Sequence, residues 1–166
     1  MREFDEAFVS YDDLTRLLND AYRSLAERSL NYVAATQDAT VTRARVAAAC
    51  ACWIAYRGHD LVGTVCYYAG GHGADGPARY ASPEVAHFGQ FAVVPRLQGS
   101  GVGSALLDVV ERKALAGRKS ELACDTAELA TELIGFYQKR GFRIVERHRW
   151  PHARYVSVVL SKPLRS

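Results

Sequence analysis

An apolar run from Phe88 to Val94 has the length and content of a buried strand, Pro95 closes it, and a helical pattern begins near Gly103. Between the two lies Gln98-Gly99-Ser100-Gly101-Val102-Gly103-Ser104. A chain that passes from strand to helix through glycines leaves several main-chain N–H groups without intrahelical acceptors, at the positive end of the helix. Such groups can hold a phosphate or a diphosphate, and glycine lets the main chain approach the anion closely. The spacing narrows the ligand. A dinucleotide fold asks for G-x-G-x-x-G, and a Walker loop asks for Lys followed by Ser or Thr after its last glycine. This chain has neither. It has Q-x-x-G-x-G on Gln98, Gly101 and Gly103, with Val93-x-Pro95 just before it.

With 166 residues, 49% of them hydrophobic, the chain is expected to form one domain over residues 1–166. The formal charge of +3 is mild and its basic residues are scattered, which gives no support to nucleic-acid binding. Asp5 and Glu6 near the start do not suit a signal peptide, and no run reaches membrane-spanning length. The expectation is a soluble, cytoplasmic protein with no membrane partner. Cys50, Cys52, Cys66 and Cys124 form no C-x-x-C pair and lie in apolar runs, as reduced core residues would. No His, Cys or Asp cluster has metal-ligand spacing, so no metal is expected.

The remaining pattern predicts a short strand over 4–9 and a helix capped by Ser10, with Leu14, Leu17, Leu18, Ala21, Tyr22 and Leu25 on one face. A polar connection over 31–37 leads to a second helix, capped by Asp38 or Thr40 and ending at Cys50. Strands over 52–56 and 61–68 flank a hairpin turn at Arg57 to Asp60. Residues 70–83 read as a mobile surface loop, and 85–94 as the long strand before the glycine turn. The next helix should turn Val102, Leu106, Val109 and Val110 inward and Asp108, Glu111 and Arg112 to water, with Gly117 ending it. A strand over 121–125, a helix over 128–140 stopped by Gly141, and antiparallel strands over 142–147 and 155–160 complete the chain. Strand and helix alternating over 85–147 imply one parallel pairing within a mostly antiparallel sheet.

On Val93-x-Pro95 with Gln98, Gly101 and Gly103, and on Phe136-Tyr137-x-x-x-Gly141-Phe142, the chain resembles the GNAT superfamily of acetyl-CoA-dependent N-acetyltransferases. The order of elements follows that family from end to end, and residues 85–145 match at motif level. The resemblance implies an α+β fold: a GNAT-like mixed, mostly antiparallel six- to seven-stranded sheet with about four helices on both faces. It implies acetyl-CoA as cosubstrate. The amides of Gly99, Ser100, Gly101, Val102, Gly103 and Ser104 would hold the pyrophosphate beside Gln98. The backbone of Phe91, Ala92 and Val93 would hold pantetheine. Tyr137 matches the family's general acid for the departing thiolate, and the plain alternative is a core tyrosine on a stripe with Leu129, Leu133 and Phe136.

An amine must lose a proton before it attacks. In many members a Glu eight residues before the Pro takes it, and His87 stands at that position here. A histidine titrates in the right range without tuning. His87 is the leading base, against the reading of a histidine bonded inside a sheet. Glu84 and Gln90 are weaker choices. Gly89 beside Gln90 would tolerate the family's strand bulge.

The chain departs from the family where Ala130 and Leu133 replace the usual Asn and Ala. Asp125-Thr126 either takes over that coenzyme contact or caps the next helix, the cap being preferred. Tyr22, Asn31, Tyr32, Thr36, Tyr155 and the 70–83 loop fall in regions that line the family's acceptor side. His148, Arg149, Trp150 and His152 read as a solvated turn. The activity implied is transfer of acetyl to a primary amine. The alternatives are a non-catalytic coenzyme A sensor, another acyl donor or a hydroxyl acceptor. A homodimer through the C-terminal strands is possible.

Overall fold

The computed structural model describes residues 1–27, 33–71, 76–151 and 153–164, with the side chains of 24–27 excepted. The described strands are β1 (Arg2–Glu3), β2 (Ala51–Arg57), β3 (Asp60–Tyr68), β4 (Val85–Val93), β5 (Glu121–Ala127), β6 (Arg143–His148) and β7 (Ser157–Pro163). The helices are α1 (Tyr11–Glu27), α2 (Val33–Thr36), α3 (Ala39–Ala48), α4 (Val102–Ala116) and α5 (Thr131–Lys139). The strands form one seven-stranded sheet in the order β1-β2-β3-β4-β5-β7-β6. β4 and β5 run parallel, with His87 opposite Ala123, while β5 with β7 and β7 with β6 are antiparallel. This is the mixed α+β architecture expected from the sequence.

The chain divides into two compact units, one of Met1–Tyr68 with Gly89–Val110 and the other of Ala69–Phe88 with Glu111–Ser166. In the first, Ser10 Oγ accepts from the Asp13 N–H at 3.1 Å and donates to its carboxylate at 2.7 Å, a reciprocal cap that starts α1. Leu14, Leu17, Leu18 and Ala21 are buried against Ile54 of β2 and Ala92 of β4. Asp38 caps α3 by accepting from the Val41 N–H at 2.9 Å. The strand expected over 4–9 is absent. Asp5 instead binds the Ala7 N–H with its side chain and the Phe8 and Val9 N–H groups with its carbonyl, which closes a turn. Part of the expected connection, Val33–Thr36, is the short helix α2. Asn31, Tyr32, His152 and the Leu25 side chain lie outside the described residues. Cys50 is exposed rather than in the core, while Cys52, Cys66 and Cys124 are buried.

In the second unit, the segment expected to be a surface loop carries a 3-10 turn, Ala78–Ala81, whose Tyr80 is buried with Val85, Ala123 and Val159. The Glu146 carboxylate fixes that turn by accepting from the Ala78 and Arg79 N–H groups at 2.9 and 3.0 Å. Glu111 does not face water: it pairs with Arg140 at 3.3 Å and Lys162 at 2.8 Å. Leu107 joins Leu106, Val110 and Ala114 as the buried face of α4. Leu129 is 65% exposed, outside the stripe expected of it, because α5 begins only at Thr131.

α4 ends through a left-handed residue, and that residue is Arg118 at φ 55°, not Gly117. The Lys119 N–H bonds back to the Ala114 carbonyl at 2.9 Å, so the backbone needs this conformation to close the helix. An L side chain is disfavoured there. Arg118→Gly is expected to raise stability by about 0.5–1 kcal/mol, read as an upward shift of the urea midpoint with unchanged slope.

Candidate functional site

The first unit carries the glycine turn. After β4, a 3-10 turn over Pro95–Leu97 reverses the chain, and the Ser100 N–H and Oγ both donate to the Leu97 carbonyl, at 3.2 and 2.6 Å. Gly99 and Gly101 stand at φ 79° and 93°, which favours glycine. The ladder of α4 opens with the Ala105 N–H on the Gly101 carbonyl at 3.0 Å. The amides of Val102, Gly103 and Ser104 therefore precede its first intrahelical donor and have no acceptor within the helix. A Cβ built on Gly99 or Gly101 would meet no atom within 4 Å, so the turn has an open face. Gln98 Nε2 donates to the Val93 carbonyl at 3.3 Å and ties the turn to the strand end. Gly63 lets α4 sit close: a Cβ there would lie 2.9 Å from Leu106 Cδ1 and 3.1 Å from the Ala92 carbonyl.

The same unit holds the irregularity in β4, at Gln90 rather than Gly89. Gln90 has φ 49°, a left-handed conformation that is costly for a long side chain in mid-strand. Its side chain is locked by a buried network. Gln37 Nε2 donates to Gln90 Oε1 at 2.9 Å and to Thr42 Oγ1 at 2.7 Å, and the Thr42 and Thr15 hydroxyls are 2.6 Å apart. Gln37→Ala would strand these buried partners, and a loss of about 2–3 kcal/mol is expected in denaturant unfolding. Beyond the bend, the Val94 N–H donates to the Val62 carbonyl at 3.0 Å. Backbone groups alternate in direction along a strand, so those of Phe91 and Val93 then point away from β3. The Tyr22 hydroxyl reaches the Phe91 carbonyl from there, at 2.8 Å.

The second unit contains both candidate catalytic side chains. Tyr137 is 3% exposed, with Phe88 and Phe142 ring centroids each 5.8 Å away. His87, half-buried on β4, lies flat on Tyr80, with centroids 4.0 Å apart and planes 5° from parallel. The Tyr80 hydroxyl donates to Asp125 Oδ1 at 3.0 Å, and Trp150 Nε1 donates to Asp125 Oδ2 at 2.9 Å. Burial, and then the Asp125 charge, push the Tyr80 hydroxyl well above the ordinary phenol range, so it stays a donor. The Tyr137 hydroxyl lies close enough to Tyr80 to add to that shift. Glu84 is exposed, and Gln90 is engaged by Gln37.

Two sequence readings fail here. Asp125 does not cap α5: the residue at the cap is Ala130, with no side-chain bond, and Asp125 sits inside β5 with both oxygens engaged from the other side. Trp150 is not in a solvated turn but packs against the cluster of Tyr80, Val85, Ala123 and Val159. Tyr80 itself went unrecognised, because the glycines and prolines around it signal a loop. Among the described residues, no group of three His, Cys, Asp or Glu side chains could hold a metal ion, and no helix is long and apolar enough to cross a membrane.

Similar folds occur among solved structures. An acetyltransferase of the GNAT family from Staphylococcus aureus Mu50 superposes with a TM-score of 0.75 at 14% identity, covering 99% of this chain and 98% of that one. The ribosomal-protein-S18-alanine N-acetyltransferase from Escherichia coli gives 0.72 at 11% identity, with 99% and 93% covered. A GNAT family acetyltransferase from Elizabethkingia anophelis with acetyl-CoA bound gives 0.61 at 20% identity, with 78% and 85% covered. No curated protein matches the sequence. The sequence model of the Acetyltransferase (GNAT) family, however, matches residues 11–142, which takes in β4, the glycine turn and α5. With that match over most of its length and the fold to go with it, the chain belongs to the GNAT family of acetyltransferases, which carry out acyl transfer with acetyl-CoA.

Proposed function

We propose that this chain transfers acetyl from acetyl-CoA to a primary amine by direct attack in a ternary complex. The observation that carries this reading is the open turn. Gly99 and Gly101 hold positive φ with free space above them, and the amides of Val102, Gly103 and Ser104 lie ahead of the first intrahelical donor of α4. Those features suit a diphosphate. The amides of Gly99 to Ser104 would hold it, with Gln98 tying the turn to β4. The backbone of Phe91, Ala92 and Val93 would hold the pantetheine arm and the thioester carbonyl. One helix-terminal contact contributes only about 0.3–2 kcal/mol, so binding rests on several amides together.

Acetyl-CoA, when bound, supplies an activated thioester. His87 takes one proton from the ammonium of the acceptor, which frees the nitrogen lone pair to form the C–N bond as the C–S bond breaks, and the second proton, shed by the nitrogen as the amide forms, replaces through solvent the one that Tyr137 gives to sulfur. Tyr137 gives its hydroxyl proton, or a strong hydrogen bond, to the departing sulfur. Removing a proton from a lysine-like amine at neutral pH costs about 4–5 kcal/mol, which is why a base is needed. The phenol is about 1.5 pKa units weaker as an acid than a thiol, an uphill transfer of about 2 kcal/mol. A hydrogen bond in the transition state therefore suffices. The Escherichia coli structure is named for N-acetylation of a protein alanine, in keeping with an amine acceptor.

The test joins calorimetry with acetyl-CoA to a free-thiol assay over simple amines, polyamines, amino acids, aminoglycosides and peptides with a free N-terminus or lysine. Binding with turnover on at least one amine is the expected result. Tight binding with no turnover on any would favour a coenzyme A sensor and overturn the enzymatic reading.

A further inference from the structure

The His87 imidazole lies over the face of the Tyr80 ring, with the planes 5° from parallel and the centroids 4.0 Å apart. A cation over an aromatic face is attracted to it. The stack therefore suits the imidazolium better than the imidazole. Tyr80 is held in that position from three sides. Its hydroxyl is on Asp125, which Trp150 also engages; the Glu146 carboxylate clamps the start of its 3-10 turn; and Arg79 Nε bonds Glu121 at 3.1 Å. Donation to a carboxylate also enriches the Tyr80 ring in electron density, which strengthens the attraction.

We propose that Tyr80, anchored by Asp125, is a positioning residue that holds the His87 imidazole by its face and favours its protonated form, so that His87 becomes a stronger base. The catalytic part of this inference rests on the reading of His87 as the base. The titratable and charged groups on the surrounding elements are Arg79 and Tyr80 of the 3-10 turn, Glu121, Cys124 and Asp125 of β5, Arg143, Glu146, Arg147 and His148 of β6, Glu132, Tyr137 and Lys139 of α5, and Glu84 just before β4. Arg79 is committed to Glu121, and Glu146 to backbone amides. Asp125 is thus the anion tied directly to the stacked ring.

The His87 ring titration, followed by NMR in the whole protein without acceptor, tests the positioning directly. In Tyr80→Leu its proton affinity should fall about three- to tenfold, moving the midpoint down by about 0.5–1 pH unit. Tyr80→Phe keeps the ring and should retain most of the affinity, and Asp125→Asn should fall between the two. If Tyr80→Leu fails to fold, the Tyr80→Phe and Asp125→Asn titrations decide, since both keep the ring. A midpoint that does not move in any folded variant overturns the proposal. A separate readout guards the underlying assignment: His87→Gln should abolish the acid limb of the kcat/KM profile on the first amine of the panel that turns over. If that limb persists while the NMR midpoints shift as described, the base assignment fails and the positioning of the ring stands.

Discussion

Replacing His87 by Gln and Tyr137 by Phe together is expected to lower kcat by about 10² to 10⁴, with the KM for acetyl-CoA little changed. The magnitude follows from what each group does. In the proposed mechanism the base takes the ammonium proton, so that attack is not limited to the small fraction of the amine already neutral, and the phenol stabilises the sulfur as the C–S bond breaks. Neither side chain belongs to the turn that would carry coenzyme affinity, so binding should persist. The double variant is the decisive one because solvent can substitute for either group alone. Both substitutions are close to isosteric, and thermal unfolding should shift by only a few degrees. Wild-type turnover in the double variant, with a confirmed acceptor, would remove both side chains from the chemistry.

Gly101→Val is expected to weaken acetyl-CoA binding by about 100-fold, a loss of about 2.7 kcal/mol. Gly101 stands at φ 93°, where a β-branched residue is strained by about 1–3 kcal/mol. A Cβ at this position meets no atom within 4 Å, so the added side chain enters open space. The isopropyl group would occupy the face over the amides and keep an anion at a distance. The penalty should thus appear in coenzyme affinity and only partly in folding. Calorimetry on a variant shown to be folded by circular dichroism reads the two separately. Unchanged affinity would mean that the diphosphate lies elsewhere.

The glycine turn was legible in the sequence because its chemistry is carried by backbone, and only glycine spacing is needed to encode it. The Ser10 and Asp38 caps and the buried stripe on α1 were legible for a similar reason: each depends on residues within one or two turns of each other. Most of what escaped was long-range. Asp125 looked like a helix cap because its neighbours in sequence permit one, and its partners Tyr80 and Trp150 are 45 and 25 positions away. The left-handed position in β4 fell on Gln90 and not on the neighbouring glycine, since Gln37, 53 positions earlier, holds that side chain in place. One miss was local: Arg118 rather than Gly117 took the left-handed position, because bonding back to Ala114 and Leu115 fixes the register of the helix end.

The central claim is that the main-chain amides of Gly99 to Ser104 grip the diphosphate of coenzyme A. Amide NMR of the isotopically labelled protein, titrated with acetyl-CoA, tests it residue by residue. The account predicts that the amides from Gly99 to Ser104 shift most and saturate together with the calorimetric isotherm. Amides there that stay still at saturating acetyl-CoA, while others move, would contradict it.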